Sequence, residues 1–144
     1  MLKPRHFVIA FLLLAAALGA TLAMAGGRPL STTLTGVQAV PRLGDRDGSG
    51  EITLNLNPGA QQACYQLSVS GIAAATAATI EKAPAGRNGE VIANLIAPND
   101  GFSGTCVRLQ RDTIVDILNH PADYYVSVLN KEYPDGALRG QLVR

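Results

Sequence analysis

The stretch Asp45-Arg46-Asp47-Gly48-Ser49-Gly50-Glu51-Ile52-Thr53 comes nearest, by residue type and spacing, to a chemical site. Oxygen-bearing side chains stand at its first, third and fifth positions, glycine at the sixth and isoleucine at the eighth, which is how an EF-hand calcium loop opens. The frame then fails. The twelfth position, where a bidentate carboxylate would close the shell, is Leu56, and the following segment alternates like a strand. A polar hairpin loop is the main reading, with calcium held outside an EF-hand by Asp45, Asp47 and Glu51 as the alternative.

Other chemistry is limited by what the chain lacks. Lys3, Arg5 and His6 precede an unbroken apolar and small-residue run from Phe7 to Leu22, and Ala23-Met24-Ala25 forms a small-x-small cleavage site. That is the three-part plan of a secretory signal over residues 1–25. The run is shorter than the about 20 residues a bilayer span needs. Cleavage removes His6 and leaves His120, beside Pro121, as the remaining imidazole. A nucleophile system would depend on that one ring, and a multi-histidine metal site is excluded. Cys64 and Cys106 remain, and an even cysteine count in an exported chain reads as a disulfide. Asp112 and Asp116 stand one helical turn apart, where acids near a helix start are expected from the helix dipole alone. A hydrolase built on paired carboxylates is accordingly the remotest reading. No cofactor and no enzymatic activity are expected.

The elements that must carry these residues are mostly strands. Ile52, Leu54 and Leu56 alternate with polar neighbours, as do Tyr65, Leu67 and Val69, and later Tyr124, Val126 and Val128. This is the pattern of half-buried strands, and of the adjacent Tyr124 and Tyr125 it puts one in the core and the other at the surface. Shorter runs fall at residues 33–40, 78–82, 91–95, 105–109 and 137–143. The turn clusters Asn57-Pro58-Gly59, Asn88-Gly89, Pro98-Asn99-Asp100-Gly101 and Pro134-Asp135-Gly136 punctuate them, Asn88-Gly89 suiting a tight hairpin with positive φ. Ile114, Val115, Ile117 and Leu118 instead follow helical spacing, with Asp112 as N-cap, and predict one short crossover helix. About eight short strands and one helix make an all-β antiparallel sandwich or barrel. Strand phase sets both cysteines opposite to the apolar layer, so their bridge lies on the outer face or at a strand end.

The whole chain carries 12 basic and 11 acidic residues. Without Lys3 and Arg5 the balance is 10 to 11, a net charge of −1, and no basic run remains. That argues against nucleic acid and anionic membrane surfaces as partners. Residues 26–144 suffice for one domain with a real core, read as an extension over 26–32 and a folded unit over 33–143.

The ordered motifs resemble the CHRD domain, a module named from chordin and found singly in exported bacterial proteins. The matching stretches are Leu34 to Pro41, Ala63 to Ile72, Gly86 to Ile92, Pro121 to Val128, and the closing Tyr133-Pro134-Asp135-Gly136-Ala137-Leu138-Arg139-Gly140-Gln141-Leu142. Family members commonly read Ala-His-Ile-His where this chain has Ala78-Thr79-Ile80-Glu81. The same region is faintly similar to the His-x-His strand of copper/zinc superoxide dismutase, but with both histidines absent it implies no such chemistry here. The resemblance implies a Greek-key β-sandwich that works, without catalysis, as an extracytoplasmic binding or structural module, periplasmic or secreted. Its partner is an unknown protein or extracellular ligand, met on a sheet face or hairpin loops.

Overall fold

The computed structural model describes residues 27–144, so the apolar run and cleavage site at the N-terminus lie outside the described residues. Eight strands form one antiparallel sheet. They are β1 (Arg28–Thr35), β2 (Ser49–Asn57), β3 (Gln62–Ser70), β4 (Ala75–Lys82), β5 (Glu90–Leu95), β6 (Phe102–Arg108), β7 (Tyr124–Asn130) and β8 (Leu138–Gln141), and the helix α1 (Arg111–Asn119) joins β6 to β7. Their spatial order is β5-β4-β7-β8-β1-β2-β3-β6. The β4–β5 hairpin intervenes in the chain between β3 and β6, which pair with each other. β7 likewise returns to pair with β4, and the connections are those of interlocked Greek keys.

The sheet is continuous on paper but thin at one place. β1 and β8 share the single pair Thr35↔Arg139 and an isolated bridge between Ser31 and Val143. There the sheet folds over, and the inward residues of β1, β2 and β3 meet those of β4 and β7 in one core. Ile52, Leu54 and Leu56 face inward, fully buried, opposite Leu67, Tyr65 and Ala63 of β3. Each large aliphatic chain so buried stabilises the fold by about 1.5–3 kcal/mol. Ile114, Ile117 and Leu118 of α1 close one end of this core. The Tyr65 hydroxyl reaches across and accepts the Ile96 N–H at 2.8 Å, tying β3 to the link between the two edge strands.

Several local expectations change. The first strand starts at Arg28, and the second half of the expected run 33–40 is a 3-10 turn over Gly36–Gln38. Helix α1 begins one residue before Asp112. Gln110 is its N-cap and makes no side-chain cap bond, which leaves Asp112 in the first turn. In the β4–β5 connection positive φ belongs to Gly86, not to Asn88-Gly89. Gly89 is required for another reason: a Cβ there would lie 1.7 Å from the Lys82 carbonyl oxygen. β6 also differs from its neighbours. Its inward positions Ser103, Thr105 and Val107 are mostly polar, and the Ser103 hydroxyl is buried without a hydrogen-bond partner.

Candidate functional site

The outer face of β4, β7 and β8 gathers the most concentrated set of polar side chains. Register aligns Thr79 with Ser127 and Arg139, and Glu81 with Tyr125 and Gln141. By strand parity these side chains point away from the core, where water would normally meet them. Residues 83–89 and 39–41 lie over them instead, and Arg139 is only 2 % exposed, Tyr125 1 %. Tyr125 is therefore not the surface partner of a core Tyr124. Both rings are buried, on opposite faces of β7.

Arg139 holds the cover in place. One guanidinium nitrogen, Nη1, donates to the Arg87 carbonyl at 2.8 Å and Asn88 Oδ1 at 3.4 Å. The other, Nη2, donates to the Pro84 carbonyl and Gln141 Oε1, each at 3.1 Å. Its plane lies over the Tyr125 ring, 3.5 Å from the centroid. The Tyr125 hydroxyl donates to Glu81 Oε2 and accepts the Gly89 N–H at 3.2 Å, while Thr79 Oγ1 donates to Glu81 Oε1 at 2.6 Å. Gln141 Nε2 donates to the Ala83 and Ala122 carbonyls at 2.7 and 2.6 Å, and Asn88 Nδ2 donates to the Val40 carbonyl at 2.9 Å. One planar cation thus meets carbonyls at several points of a loop, which suits the fixed donor fork of arginine.

Burial is the main influence on the protons here. It pushes the Tyr125 phenol up, with the bond to Glu81 adding to the effect, so the phenol stays neutral and donating at physiological pH. It lowers Arg139, opposed by the nearby Tyr125 and Glu81. A groove of about 210 Å³ opens beside the cluster, where Asp135 also lines the wall and pairs with Arg42 at 2.7 Å. Each Glu81 oxygen already accepts a bond from a neighbour within the fold.

A second cluster closes the helix end. Asp116 accepts from Lys82 Nζ at 2.7 Å and the Tyr124 hydroxyl at 2.5 Å, with His120 Nδ1 at 3.0 Å. These bonds, Lys82 first, hold the Asp116 carboxyl well below the usual carboxylate range, and Asp116 in turn raises Lys82. His120 is an exposed C-cap residue. Of the two acids expected to share a helix face, Asp116 is committed to this cluster and Asp112 stands exposed in the first turn.

The glycine-rich stretch is dispersed by the fold. Asp45 and Asp47 sit in the loop before β2, where Asp45 Oδ1 accepts the Asp47 N–H at 3.1 Å. Glu51 lies within β2 on the sheet's outer face. The described residues contain no group of three or more His, Cys, Asp or Glu side chains placed to hold a metal ion. Cys64 and Cys106 are directly opposed in β3 and β6 and joined as a disulfide on the outer face, in the phase that their strands predict.

Sequence reasoning passed over Glu81, Tyr125 and Arg139 as a unit. Their signal was the outward parity of three strands that become neighbours only through the topology. A family model for the CHRD domain matches residues 30–142, from within β1 to just beyond β8. No curated protein and no solved structure matches the chain. The motif stretches fall within that span; Gly86 to Ile92, Pro121 to Val128 and Tyr133 to Leu142 lie on strands and turns around the covered polar layer, and Ala63 to Ile72 runs through β3 on the other side of the sandwich. The chain belongs to the CHRD domain family.

Proposed function

We propose that this CHRD domain is exported and acts outside the cytoplasm as a binding or structural module without catalysis. A small extracellular-type domain with a cross-strand disulfide is what the family and the cysteine pair support. Among the described residues no helix is long and apolar enough to cross a membrane. The observation that favours a non-catalytic role is the commitment of the clustered acid and base groups to partners within the fold. Glu81 is bonded to Thr79 and Tyr125, Arg139 to the covering loop, and Asp116 to Lys82, Tyr124 and His120. Proton transfer needs a group that can change partners within reach of a substrate, and these groups are spent on holding loops and the helix end.

Cell fractionation with intact-mass analysis tests the reading. The expected product is a chain beginning at Gly26, found outside the cytoplasm, two hydrogens lighter than its reduced form. The purified chain should turn over no ester, peptide, glycoside or phosphomonoester substrate. A cytoplasmic precursor, or turnover that Glu81→Gln or Asp116→Asn abolishes, overturns it.

A further inference from the structure

The two outer faces of the sandwich differ. That of β4, β7 and β8 is roofed by loops and satisfied internally, whereas that of β1, β2, β3 and β6 is left bare by the described residues. Its outward residues are chiefly Ser, Thr, Asn and Gln, and its charged positions are Glu51 near the middle and Arg108 at one end. In this hydroxyl-rich surface stands one large apolar ring, Phe102, 59 % exposed on edge strand β6. The ring lies down along the sheet over Gly104: a Cβ at Gly104 would be 3.3 Å from Phe102 Cζ and 3.6 Å from Cε1. Glycine at that position gives the ring a flat seat.

Beside the ring is a shallow concavity of about 250 Å³, walled by Glu51, Thr53, Gln66 and Ser68. A second, of about 290 Å³, continues along the same face, shares Glu51 and Ser68, and extends to Thr33, Ser49 and Ser70. An aromatic plane ringed by hydroxyl, amide and carboxylate groups complements a pyranose sugar. The apolar C–H face of the sugar stacks on the ring, and its equatorial hydroxyls meet the polar rim. Two concavities in line give room for successive units of a chain.

We infer that this face binds an uncharged glycan of β-linked pyranose units, with Phe102 as the stacking platform and Glu51, Thr53, Gln66 and Ser68 as hydrogen-bonding partners. Charge sets the choice of partner. The Glu51 carboxylate opposes phosphate and carboxylate polymers, and the lack of a basic stripe removes the attraction that nucleic acids need. A protein interface concentrates its apolar and aromatic anchors at a water-excluded centre, whereas this face offers one ring among hydroxyls. Strands rather than loops carry the groups, so little ordering is required on binding. The inference rests on the binding reading proposed above and gives it a ligand class.

Calorimetric titration of the mature, disulfide-bonded chain with hexasaccharides of β-1,4-linked glucose, N-acetylglucosamine and xylose tests it, with amide shift mapping by NMR. Binding of at least one of the three is expected, with shifts centred on Ser68 and Gly104. Phe102→Ala should weaken it by about tenfold or more, Phe102→Trp should keep it, and Gln66→Ala should weaken it by about two- to tenfold. Phe102 and Gln66 are exposed, so an unchanged melting temperature verifies that the variants fold. Failure of all three sugars, shifts confined to another face, or undiminished binding by Phe102→Ala overturns the inference. A protein partner whose capture depends on Phe102, found without glycan binding, overturns it too but leaves the binding-module reading standing.

Discussion

Replacing Arg139 with methionine removes the clamp on residues 83–89 while keeping a chain of similar length and apolar character. The Pro84 and Arg87 carbonyls then lose a buried charged donor. Each carbonyl left bare costs about 1–3 kcal/mol, and loss of the stacked cation on Tyr125 adds about 1–2 kcal/mol. Against this stands the relief of no longer burying a cation, which in this site outweighs the help from Tyr125 and Glu81. The net expectation is a loss of about 3 kcal/mol, a large part of the about 5–15 kcal/mol typical of a domain. With a urea m-value of about 2 kcal/mol/M, the unfolding midpoint falls by about 1.5 M. The local readout is hydrogen exchange at the Gly89 amide, whose partner Tyr125 is positioned by the clamp and which should lose protection. Arg139→Lys should restore less than half of the loss, since a point charge cannot reproduce the fork. A midpoint shift under about 0.5 M, with Gly89 still protected, would refute the reasoning.

Asp116→Asn should flatten the acid limb of stability. The wild-type carboxyl sits below its ordinary value of 3.8, so its contribution is complete above that pH and is lost as pH falls toward the folded value. Wild type should melt higher than the variant at pH 7 and lose that lead as pH falls to 2, the two curves converging, and parallel curves contradict the assignment. The double variant Cys64→Ser/Cys106→Ser opens a crosslink of sequence separation 42 and should cost about 2–4 kcal/mol in urea unfolding. Gly86 has φ +79° with open space around it, and Gly89 has none, so Gly86→Ala should cost about 1 kcal/mol and Gly89→Ala clearly more. Equal losses would argue against the close approach to Lys82.

The central strands were legible because alternation and burial agree there: β2 and β3 present Ile52, Leu54, Leu56, Tyr65 and Leu67 on one face and polar residues on the other. β1 was placed late because Thr32 occupies an inward position between Leu30 and Leu34 and interrupts its apolar pattern. Tyr125 was misplaced because its cover comes from residues 83–89, far away in the chain. The covered polar layer was hidden for the same reason. Arg139 lies 52 residues from Arg87 and 55 from Pro84, and neither charge nor spacing announces that they meet. Local order in the glycine-rich stretch did not show that the strand beginning at Ser49 carries Glu51 onto the sheet face while Asp45 and Asp47 stay in the loop before it.

The disulfide has a consequence for how β6 is aligned. In β2 and β3, sliding by one residue would turn a whole apolar row to solvent, which makes the native pairing self-enforcing. β6 lacks that guard: Ser103 and Thr105 point inward, Phe102 points outward, and its far side is an unpaired edge. A one-residue slip would exchange few apolar contacts. The covalent link between the directly opposed Cys64 and Cys106 supplies the alignment information that the side-chain pattern omits. It also fixes Phe102 opposite Ser68 and Gly104 opposite Gln66, so the geometry of the bare face depends on a covalent bond at the far end of β6.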